Sequence, residues 1–336
     1  MKSWPLALAL SACFSAPRYA GPVSDHFDGT RFYNPGAPPA ARGLGPFLQW
    51  KLNDDPGPWR AYRDEPPGPP PPHRVGPGAL RVTFVNHATT LIQLDGVNVL
   101  TDPIYAERAS PLSFAGPKRV RPPGIRFEEL PVIHAVVVSH NHYDHMDVPT
   151  LLRLQASFPG VKIFAGLGNK AFLESKGLAQ VSELDWWQSA QLGATAVRLT
   201  SVPVQHFSNR GLTDDAGTLW TGWVIEGTNG RAFFGGDTAY GPHFKAVGEK
   251  LGPFRLAVLP IGAYLPEWFM NPVHMTPADA VKAKVDLKAQ VMVPMHYGTF
   301  PLADDGEEAA VAALREASGD ESIWVLGFGE GREVPP

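Results

Sequence analysis

The chain has 336 residues, 44% of them hydrophobic, and a formal net charge of −4, which excludes an intrinsically disordered protein and gives no electrostatic basis for nucleic-acid binding. No apolar run reaches 18 residues, so the sequence contains no candidate transmembrane helix. Eleven histidines against one cysteine indicate that any metal would bind nitrogen and oxygen ligands, because a thiolate cluster needs several cysteines.

The first thirteen residues resemble a bacterial lipoprotein signal. Lys2 is followed by an apolar run from Trp4 to Leu10, and a leucine and two small residues then precede Cys13, the residue that becomes acylated. Residues 1–13 would therefore form a signal that ends at the lipobox residue Cys13. The protein would be lipid-anchored in the bacterial cell envelope, facing the periplasm or the cell exterior. The alternative is a mis-started N-terminus, since the apolar run is short and contains Pro5.

Residues 14–79 are rich in proline, and we interpret them as an N-terminal arm. Sixteen of the 35 prolines lie before residue 80, and such a segment favours extended conformations over helices and sheet ladders. The arm nevertheless contains seven large rings: Phe27, Phe32, Tyr33, Phe47, Trp50, Trp59 and Tyr62. We therefore expect the arm to pack on the domain surface and bury these rings. The alternative is a disordered tether.

From residue 80 onward the chain shows short β-rich runs separated by turn residues. The runs Leu91 to Leu94 and Val97 to Thr101 flank Asp95-Gly96, which predicts a hairpin. Further strands are predicted near residues 80–84, 135–138, 161–165, 196–202, 220–225, 232–234, 256–259 and 291–294. Helices are expected after Asp147, after Thr276 and over residues 307–318. The pattern predicts a layered α/β fold with two sheets and helices outside them.

A compact set of metal-ligand residues follows the apolar run 135–138. Ser139 precedes His140, His142, Asp144 and His145, so three imidazoles and a carboxylate lie within six residues. In an extended turn His140 and His142 can converge on one metal, while Asp144 and His145 face a second one beside it. Imidazole and carboxylate suit Zn²⁺ or a similar borderline cation. The alternative is a solvated loop, but ligand-type residues at the end of a buried strand are typical of a metal site.

Three further ligand-type residues each follow an apolar run: His206, Asp237 and His296. Each has an ordinary explanation on its own, either a core histidine or a turn aspartate. All three share one feature, a ligand-type residue at the carboxyl end of a predicted strand. They could therefore complete the coordination of two metal ions. Gly235 and Gly236 precede Asp237 and would let the backbone bend close to a metal.

These motifs make the chain similar to the metallo-β-lactamase superfamily, whose HxHxDH signature corresponds to residues 140–145. Within it, the chain resembles the branch of N-acylphosphatidylethanolamine-hydrolysing phospholipase D enzymes, in a bacterial form. The segments that carry the closer resemblance are residues 86–89, 101–104, 116–119, 139–145, 183–187, 236–238, 260–264, 268–270 and 296–300. The resemblance implies a four-layer αββα sandwich, the metallo-β-lactamase fold, as a hydrolase domain over residues 80–334 behind the proline-rich arm.

The resemblance also implies two Zn²⁺ per chain. One ion would be bound by His140, His142 and His206, the other by Asp144, His145 and His296, with Asp237 as a bridge. Independently, two cations about 3.5 to 4 Å apart can share a hydroxide, lower its pKa and hold a phosphodiester for in-line attack. The implied reaction is hydrolysis of N-acylphosphatidylethanolamine-type phospholipids to N-acylethanolamine and phosphatidic acid through this metal-bridging hydroxide. Asp144 and Asp237 are expected to be catalytic.

Two more residues match family positions that contact the substrate. His274 lies just before a predicted helix and could bind a phosphate oxygen or assist the leaving group, which would make it both catalytic and substrate-binding. The alternative for His274 is a helix-entry histidine bonded to backbone. Tyr143 is expected to bind substrate in the same cleft. His87 and Asp102 are expected behind the ligands, where a hydrogen bond orients a metal-binding group.

Substrate identity is the least constrained expectation. Ser113-Phe114 stand where the mammalian enzymes carry a Gln-Tyr pair, in a segment expected to touch the headgroup or the acyl chains. The alternative is a metal-dependent hydrolase of the same fold that acts on a soluble ester, a lactone or another phosphodiester. A non-catalytic binding module would lack at least one ligand, whereas all seven are present. The expected partners are a phospholipid at a membrane surface and a second copy in a homodimer.

Overall fold

The computed structural model describes residues 15–37, 44–211 and 213–336. Within these ranges the apolar runs form two β-sheets. The strands are β1 Leu80–Asn86, β2 Thr89–Leu94, β3 Val97–Thr101, β4 Ala135–Val137, β5 Lys162–Gly166, β6 Val181–Leu184, β7 Ser189–Gln191, β8 Arg198–Val202, β9 Gly222–Gly227, β10 Gly230–Phe234, β11 Phe254–Pro260, β12 Ala289–Met295 and β13 Gly331–Val334. One sheet has the order β13-β1-β2-β3-β4-β5-β6, and the other has the order β12-β11-β10-β9-β8-β7.

The three helices expected from the sequence are present, and the described ranges contain four more. The helices are α1 Leu44–Leu52, α2 Val148–Ser157, α3 Asn169–Ser175, α4 His243–Leu251, α5 Glu267–Met270, α6 Pro277–Asp286 and α7 Ala309–Ala317. The Thr276 hydroxyl accepts a hydrogen bond from the Asp279 backbone N–H at 3.1 Å, which caps α6 as its sequence predicts. None of these helices has both the length and the apolar character needed to cross a bilayer.

Two apolar layers show that the sheets lie face to face with helices outside. Val82 and Phe84 of the first sheet share one buried cluster with Trp223 and Phe233 of the second. That cluster also takes in apolar residues of α4, α6 and α7. A second buried cluster joins the other face of the first sheet to Leu151 and other residues of α2 and α3. The predicted four-layer αββα sandwich is therefore confirmed.

The Asp95-Gly96 turn forms the predicted hairpin between β2 and β3. Leu94 pairs with Val97, so the two turn residues alone connect the strands. Both have a positive φ, 48° for Asp95 and 77° for Gly96, as the favoured two-residue hairpin turn requires.

Parallel pairing directs several loops toward one end of the sandwich. β3, β4 and β5 run parallel in the first sheet, and β10, β11 and β12 run parallel in the second. The loops that follow β3, β4, β10 and β12 therefore begin at the carboxyl ends of these strands. Open α/β sheets place their functional groups at this edge. This topology brings sequence-distant ligand loops together.

The arm lies along the domain through backbone and side-chain contacts. The Tyr19 and Phe32 backbone N–H groups donate to Gly217 and Ala216, and Phe27 and Phe32 are buried. Trp50 is buried as well, and Trp59 is partly buried. The expectation that all seven rings are buried is wrong for Tyr33, Phe47 and Tyr62, which are exposed. Packing here depends on where each residue meets the domain, and the composition of the arm does not encode that.

Residues 50–60 of the arm also hold the loop that precedes α7. The Gly57 backbone N–H donates to the Asp304 carbonyl at 2.7 Å. The indole N–H of Trp50 donates to the Asp304 carboxylate at 2.8 Å, and that of Trp59 donates to the Asp305 carbonyl at 3.0 Å. The expected lipoprotein signal, residues 1–13 with Cys13, lies outside the described residues.

His26 fastens the arm to the strand-end loop after β6. Its ring is stacked on Trp186 at 4.3 Å between centroids, and its two nitrogens lie 2.6 Å from Asp25 and 2.8 Å from Asp185. Two carboxylate partners require both nitrogens to carry protons. Burial lowers the pKa of His26, but hydrogen bonds and charge from Asp185 and Asp25 raise it more, so the net pKa lies above its ordinary value.

This contact should weaken as the pH rises. Because the folded pKa of His26 is raised, its stabilisation is complete below the ordinary value of 6.5 and is lost as the pH rises through the folded pKa. We expect the backbone amides of Phe32 and Tyr33 to exchange faster in His26→Gln than in the wild type at pH 6, with the ratio approaching one by pH 9. Hydrogen-exchange mass spectrometry measures both proteins at the same pH, so the effect of pH on the intrinsic exchange rate cancels in the ratio. A ratio that does not change with pH would contradict the protonated state assigned to His26.

Candidate metal centre

The seven predicted ligands converge at the end of the sandwich described above. The loop after β4 carries His140, His142, Asp144 and His145, while His206, Asp237 and His296 follow β8, β10 and β12. Histidine and carboxylate side chains here form overlapping groups whose ligand atoms lie within 4.8 Å of one another. The sequence therefore identified residues that the fold brings together from four separate loops.

The first group consists of three imidazole nitrogens that face each other. His140 Nε2 lies 2.8 Å from His142 Nδ1, and His142 Nδ1 lies 3.3 Å from His206 Nε2. A tetrahedral zinc with bonds of about 2.0–2.1 Å separates its ligand atoms by about 3.3 Å, so this spacing suits one ion. These are the three residues that the family resemblance assigns to one metal.

The second group combines imidazoles with carboxylates. Asp144 Oδ2 lies 3.2 Å from His145 Nε2 and 3.3 Å from His296 Nε2. Asp237 Oδ2 lies 3.1 Å from each of the same two nitrogens. These separations also match the ligand spacing around a single cation of zinc size.

Asp237 lies between the two groups. In addition to His145 and His296, its Oδ2 is 3.9 Å from His206 Nε2 and 4.0 Å from His140 Nε2. Its side chain is almost fully buried, and Oδ1 has no hydrogen-bond partner. A buried carboxylate within reach of both nitrogen groups has the position that a bridging ligand needs.

Acceptors behind the rings determine which nitrogen faces the centre. Asp102 Oδ2 lies 2.7 Å from His145 Nδ1 and also accepts from the Ser139 hydroxyl at 2.5 Å. Because that hydroxyl donates to Asp102, its oxygen is free to accept from His140 Nδ1 at 2.9 Å. His206 Nδ1 lies 2.8 Å from the Val273 carbonyl. The rings of His145, His140 and His206 thus donate a hydrogen bond through Nδ1 and present Nε2 to the centre.

His87 has the supporting position expected from the sequence. Its Nε2 lies 2.9 Å from Asp144 Oδ2, and its ring packs 4.1 Å from that of His296. This contact helps to hold the Asp144 carboxylate in place. His87 is also close enough to Asp144, His145 and His296 to be grouped with them as a ligand-type residue.

Charge and burial shift the pKa values of the histidines in opposite directions in the two ligand groups. Burial holds the pKa of His140 and of His206 well below the ordinary value and lowers that of His142 to about 4. Burial also disfavours charge on His296, but Asp237 and Asp144 raise its pKa to about 9. Asp144 and Asp237 are held well below their usual pKa by the neighbouring histidines, against the effect of burial. A divalent cation can replace protons held in such a cluster.

The unpartnered atoms of the site fit a pair of cations. Within the described part of the chain, five buried atoms of these side chains lack hydrogen-bond partners: His145 Nε2, His296 Nε2, His296 Nδ1, Asp237 Oδ1 and His274 Nδ1. Native proteins rarely bury such groups without satisfying them. Nitrogen and oxygen donors with these spacings are the ligand type that Zn²⁺ takes, so the residues present fit a dinuclear metal centre.

Several residues of the site have left-handed backbone conformations. His87, Asp102 and His296 have φ values of 47°, 32° and 65°, which side chains other than glycine rarely adopt. Gly236 is needed as well, since a Cβ there would lie 2.3 Å from the Ser139 Cβ. At Gly235 a Cβ would make ordinary contacts at 3.5 Å, so the close approach expected at both glycines is required only at Gly236.

His274 faces the centre rather than the helix that follows it. Its Nδ1 lies 4.0 Å from Asp237 Oδ2 and has no hydrogen-bond partner, and its ring packs 5.1 Å from that of His206. Burial lowers the pKa of His274 to about 4. The alternative role, a side chain bonded to the helix entry, is not what these contacts indicate.

Tyr143 lines a cavity of about 350 Å³ beside the ligand loop. Its hydroxyl donates to the Arg210 carbonyl at 3.0 Å, and the Arg210 guanidinium lies 4.0 Å from its ring centre. Arg108 and Lys176 also line this cavity, and Leu112 lies at its exposed rim. Arg210 was not predicted from the sequence, because a single arginine in a loop forms no recognisable pattern.

The fold and this ligand set define a metal-dependent hydrolase with the metallo-β-lactamase fold. The family described as Beta-lactamase superfamily domain matches residues 97–297, which is more than half of the chain. The chain therefore belongs to that family.

Relatives agree with this class. The N-acyl-phosphatidylethanolamine-hydrolyzing phospholipase D 1 of Caenorhabditis elegans is 42% identical over 231 residues, which cover 66% of this chain and 65% of that protein. A metal-dependent hydrolase of Methanopyrus kandleri is 29% identical over 260 residues, covering 76% of this chain and 100% of that protein. The solved structure of a metallo hydrolase from Ignicoccus hospitalis is 25% identical, with a TM-score of 0.58, and covers 76% of this chain and 99% of that one.

Proposed function

We propose that the protein is a dinuclear zinc phosphodiesterase that hydrolyses N-acylphosphatidylethanolamine-type phospholipids. The products would be N-acylethanolamine and phosphatidic acid. The observation that carries the proposal is the Asp237-centred cluster of histidine and carboxylate ligands, whose two groups could each hold a metal ion. The worm relative, named for this activity, supports the choice of substrate class.

The ligand groups define where two Zn²⁺ would bind. His140, His142 and His206 would hold one ion, Asp144, His145 and His296 the other, and Asp237 both. When bound, such a pair polarises a phosphodiester and supplies an activated water at neutral pH. The protein's own contribution is to orient the rings of His145, His140 and His206 through Asp102, Ser139 and the Val273 carbonyl, so that Nε2 of each ring faces the metals.

His274 is placed to act on the substrate. Its free Nδ1 points toward Asp237 at 4.0 Å, so a substrate phosphate between the metals would come within its reach. At neutral pH this imidazole is uncharged, because burial lowers its pKa to about 4, so its N–H would donate a hydrogen bond to a phosphate oxygen and stabilise the negative charge that develops there. The side chain is partly buried and makes no competing side-chain hydrogen bond among the described residues.

The cavity at Tyr143 suits an anionic amphiphile. Three cationic side chains, Arg108, Lys176 and Arg210, line it against the two carboxylates of Glu107 and Asp147, and Phe172 supplies an apolar wall. Leu112 lies at its rim and is 39% exposed, and Phe114, two residues further along the chain, is 77% exposed. We propose that this rim contacts the membrane surface, which agrees with a lipid anchor at Cys13 that would hold the domain at the bacterial envelope.

The test is turnover of a defined lipid by the full chain loaded with zinc. We expect release of N-acylethanolamine and phosphatidic acid from N-acylphosphatidylethanolamine in detergent micelles, read by mass spectrometry. Asp237→Asn should abolish turnover and reduce the metal content below two ions per chain, because it removes the charge shared by both ligand groups.

Two outcomes would count against the proposal. Near-normal turnover by Asp237→Asn would contradict its place between the metals. A wild-type protein with two bound zinc ions and no lipid turnover would leave the metal centre intact and reject the lipid substrate. The substrate would then have to be sought among soluble esters, lactones and other phosphodiesters.

His274→Ala should retain two metals and lose rate. Removal of one hydrogen-bond donor that stabilises developing negative charge typically costs about 10²–10³-fold in turnover. The measurement is kcat on the lipid together with the metal content of the same sample, with His274→Asn as a variant that keeps a hydrogen-bond donor. Loss of one metal in His274→Ala would instead make His274 a ligand, and an unchanged kcat would remove it from the reaction.

A further inference from the structure

Among the four buried ligand histidines, His296 departs from the pattern of the other three. The outward nitrogens of His140, His145 and His206 each face an oxygen of Ser139, Asp102 or Val273 at 2.7–2.9 Å. His296 also presents Nε2 to the two carboxylates, but its Nδ1 has no hydrogen-bond partner although the residue is 3% exposed. A metal-binding histidine almost always donates its second N–H to an oxygen.

A small cavity is lined by both His296 and a carboxylate residue, Asp305. The cavity has about 10 Å³ of space for the centre of a water molecule, and Trp59, Gly298 and Ala263 are among its other lining residues. Asp305 Oδ1 is buried and has no hydrogen-bond partner among the described residues, while Oδ2 accepts from the Ala263 backbone N–H at 3.1 Å. Two residues that line the same cavity therefore each have one buried polar atom without a described partner.

The size of the cavity indicates what joins the two groups. About 10–15 Å³ by this measure is the space that one water molecule needs, and a buried water needs at least two polar partners. The carboxylate of Glu307 also lines the cavity, but it is occupied by Arg121 and Arg60. Tyr297 donates its hydroxyl to the Leu326 carbonyl. Asp305 is thus the lining carboxylate with a free oxygen.

We propose that Asp305 is a positioning residue for His296 and acts through one buried water. The imidazole Nδ1–H donates to the water, and the water donates to Asp305 Oδ1. This connection fixes the tautomer that leaves Nε2 free for the metal and raises the basicity of that nitrogen. The inference rests on the proposed role of His296 as a metal ligand.

The arm holds Asp305 in place. Trp59 donates its indole N–H to the Asp305 carbonyl at 3.0 Å, and the Gly57 backbone N–H donates to the Asp304 carbonyl at 2.7 Å. The Asp304 backbone N–H in turn donates to the Leu265 carbonyl at 3.0 Å. The loop that carries the carboxylate is therefore fixed on both sides. The proline-rich arm would in this way support the metal centre, although it supplies none of the proposed ligands.

The first test measures the affinity of each zinc by competition with a chelator, without lipid substrate. Asp305→Ala removes the acceptor and should weaken one of the two sites about 10–100-fold while leaving the other unchanged. Asp305→Asn keeps an acceptor oxygen without the charge, so its loss should be smaller. Asp304→Asn is the matched control, since it removes a neighbouring charge that faces Trp50 instead of the cavity.

Two outcomes would overturn the proposal. Wild-type affinity at both sites in Asp305→Ala would show that His296 does not depend on Asp305. Equal weakening of both sites, or the same loss in Asp304→Asn, would indicate a general disturbance of the loop. Circular dichroism checks that each variant is folded, and the conservative Asp305→Asn keeps the comparison valid if the alanine variant is not.

A second measurement observes the bridge directly. In the zinc-loaded wild type, nitrogen NMR of labelled histidines should show a protonated, slowly exchanging Nδ1 on His296, and this protection should fall in Asp305→Ala. A high-resolution crystal structure should show one water within hydrogen-bond distance of both groups, and its absence would refute the bridge. Neither measurement uses lipid, so a failed lipid assay would leave this inference standing, and a failed bridge would leave the lipid proposal standing.

Discussion

The site depends on one buried carboxylate that is shared by two groups of imidazoles. Asp237 Oδ2 has histidine nitrogens at 3.1, 3.1, 3.9 and 4.0 Å, from His145, His296, His206 and His140. Histidines this close and this buried cannot all carry protons, and the neutral ones leave lone pairs without partners. A cation on each side of Asp237 satisfies both conditions. The outer acceptors and the strained loop conformations serve to keep the rings aimed at this point.

The sandwich supplies the rigid framework that holds these buried polar side chains together. Buried parallel strands end together, so ligands from distant segments meet without long flexible loops between them. The backbone at His87, Asp102 and His296 adopts left-handed conformations, each of which costs about 1–3 kcal/mol and persists only where the surrounding structure enforces it. The His296 backbone N–H donates to the His87 carbonyl at 2.8 Å, which joins the loops of the two sheets across the site.

The parts of this arrangement that follow local rules could be predicted from the sequence. The strand ends, the Asp95-Gly96 turn and the ligand residues of the 140–145 loop depend on patterns of a few residues. Strand β13 could not be predicted, because Gly331–Val334 is short and largely polar and forms only by pairing with β1. Helices α3 and α4 have few apolar positions and are defined by what they pack against.

Support for the site depends on contacts between distant segments, which leave no local pattern. Asp305 lies nine residues beyond His296 in a polar stretch, and only the cavity between them relates the two. Arg210 meets Tyr143 for a similar reason, across the turn after His206. The arm likewise buries Phe27 and Phe32 but leaves Phe47 exposed, although composition treats these rings alike.

Anomalous diffraction from crystals grown with zinc tests the central claim most directly. We expect two peaks about 3.5–4 Å apart. One peak should lie within bonding distance of His140, His142 and His206. The other should lie within bonding distance of Asp144, His145 and His296. Asp237 should bind both ions, with one oxygen or with one each. A single peak, or two peaks with Asp237 bound to only one of them, would contradict the account.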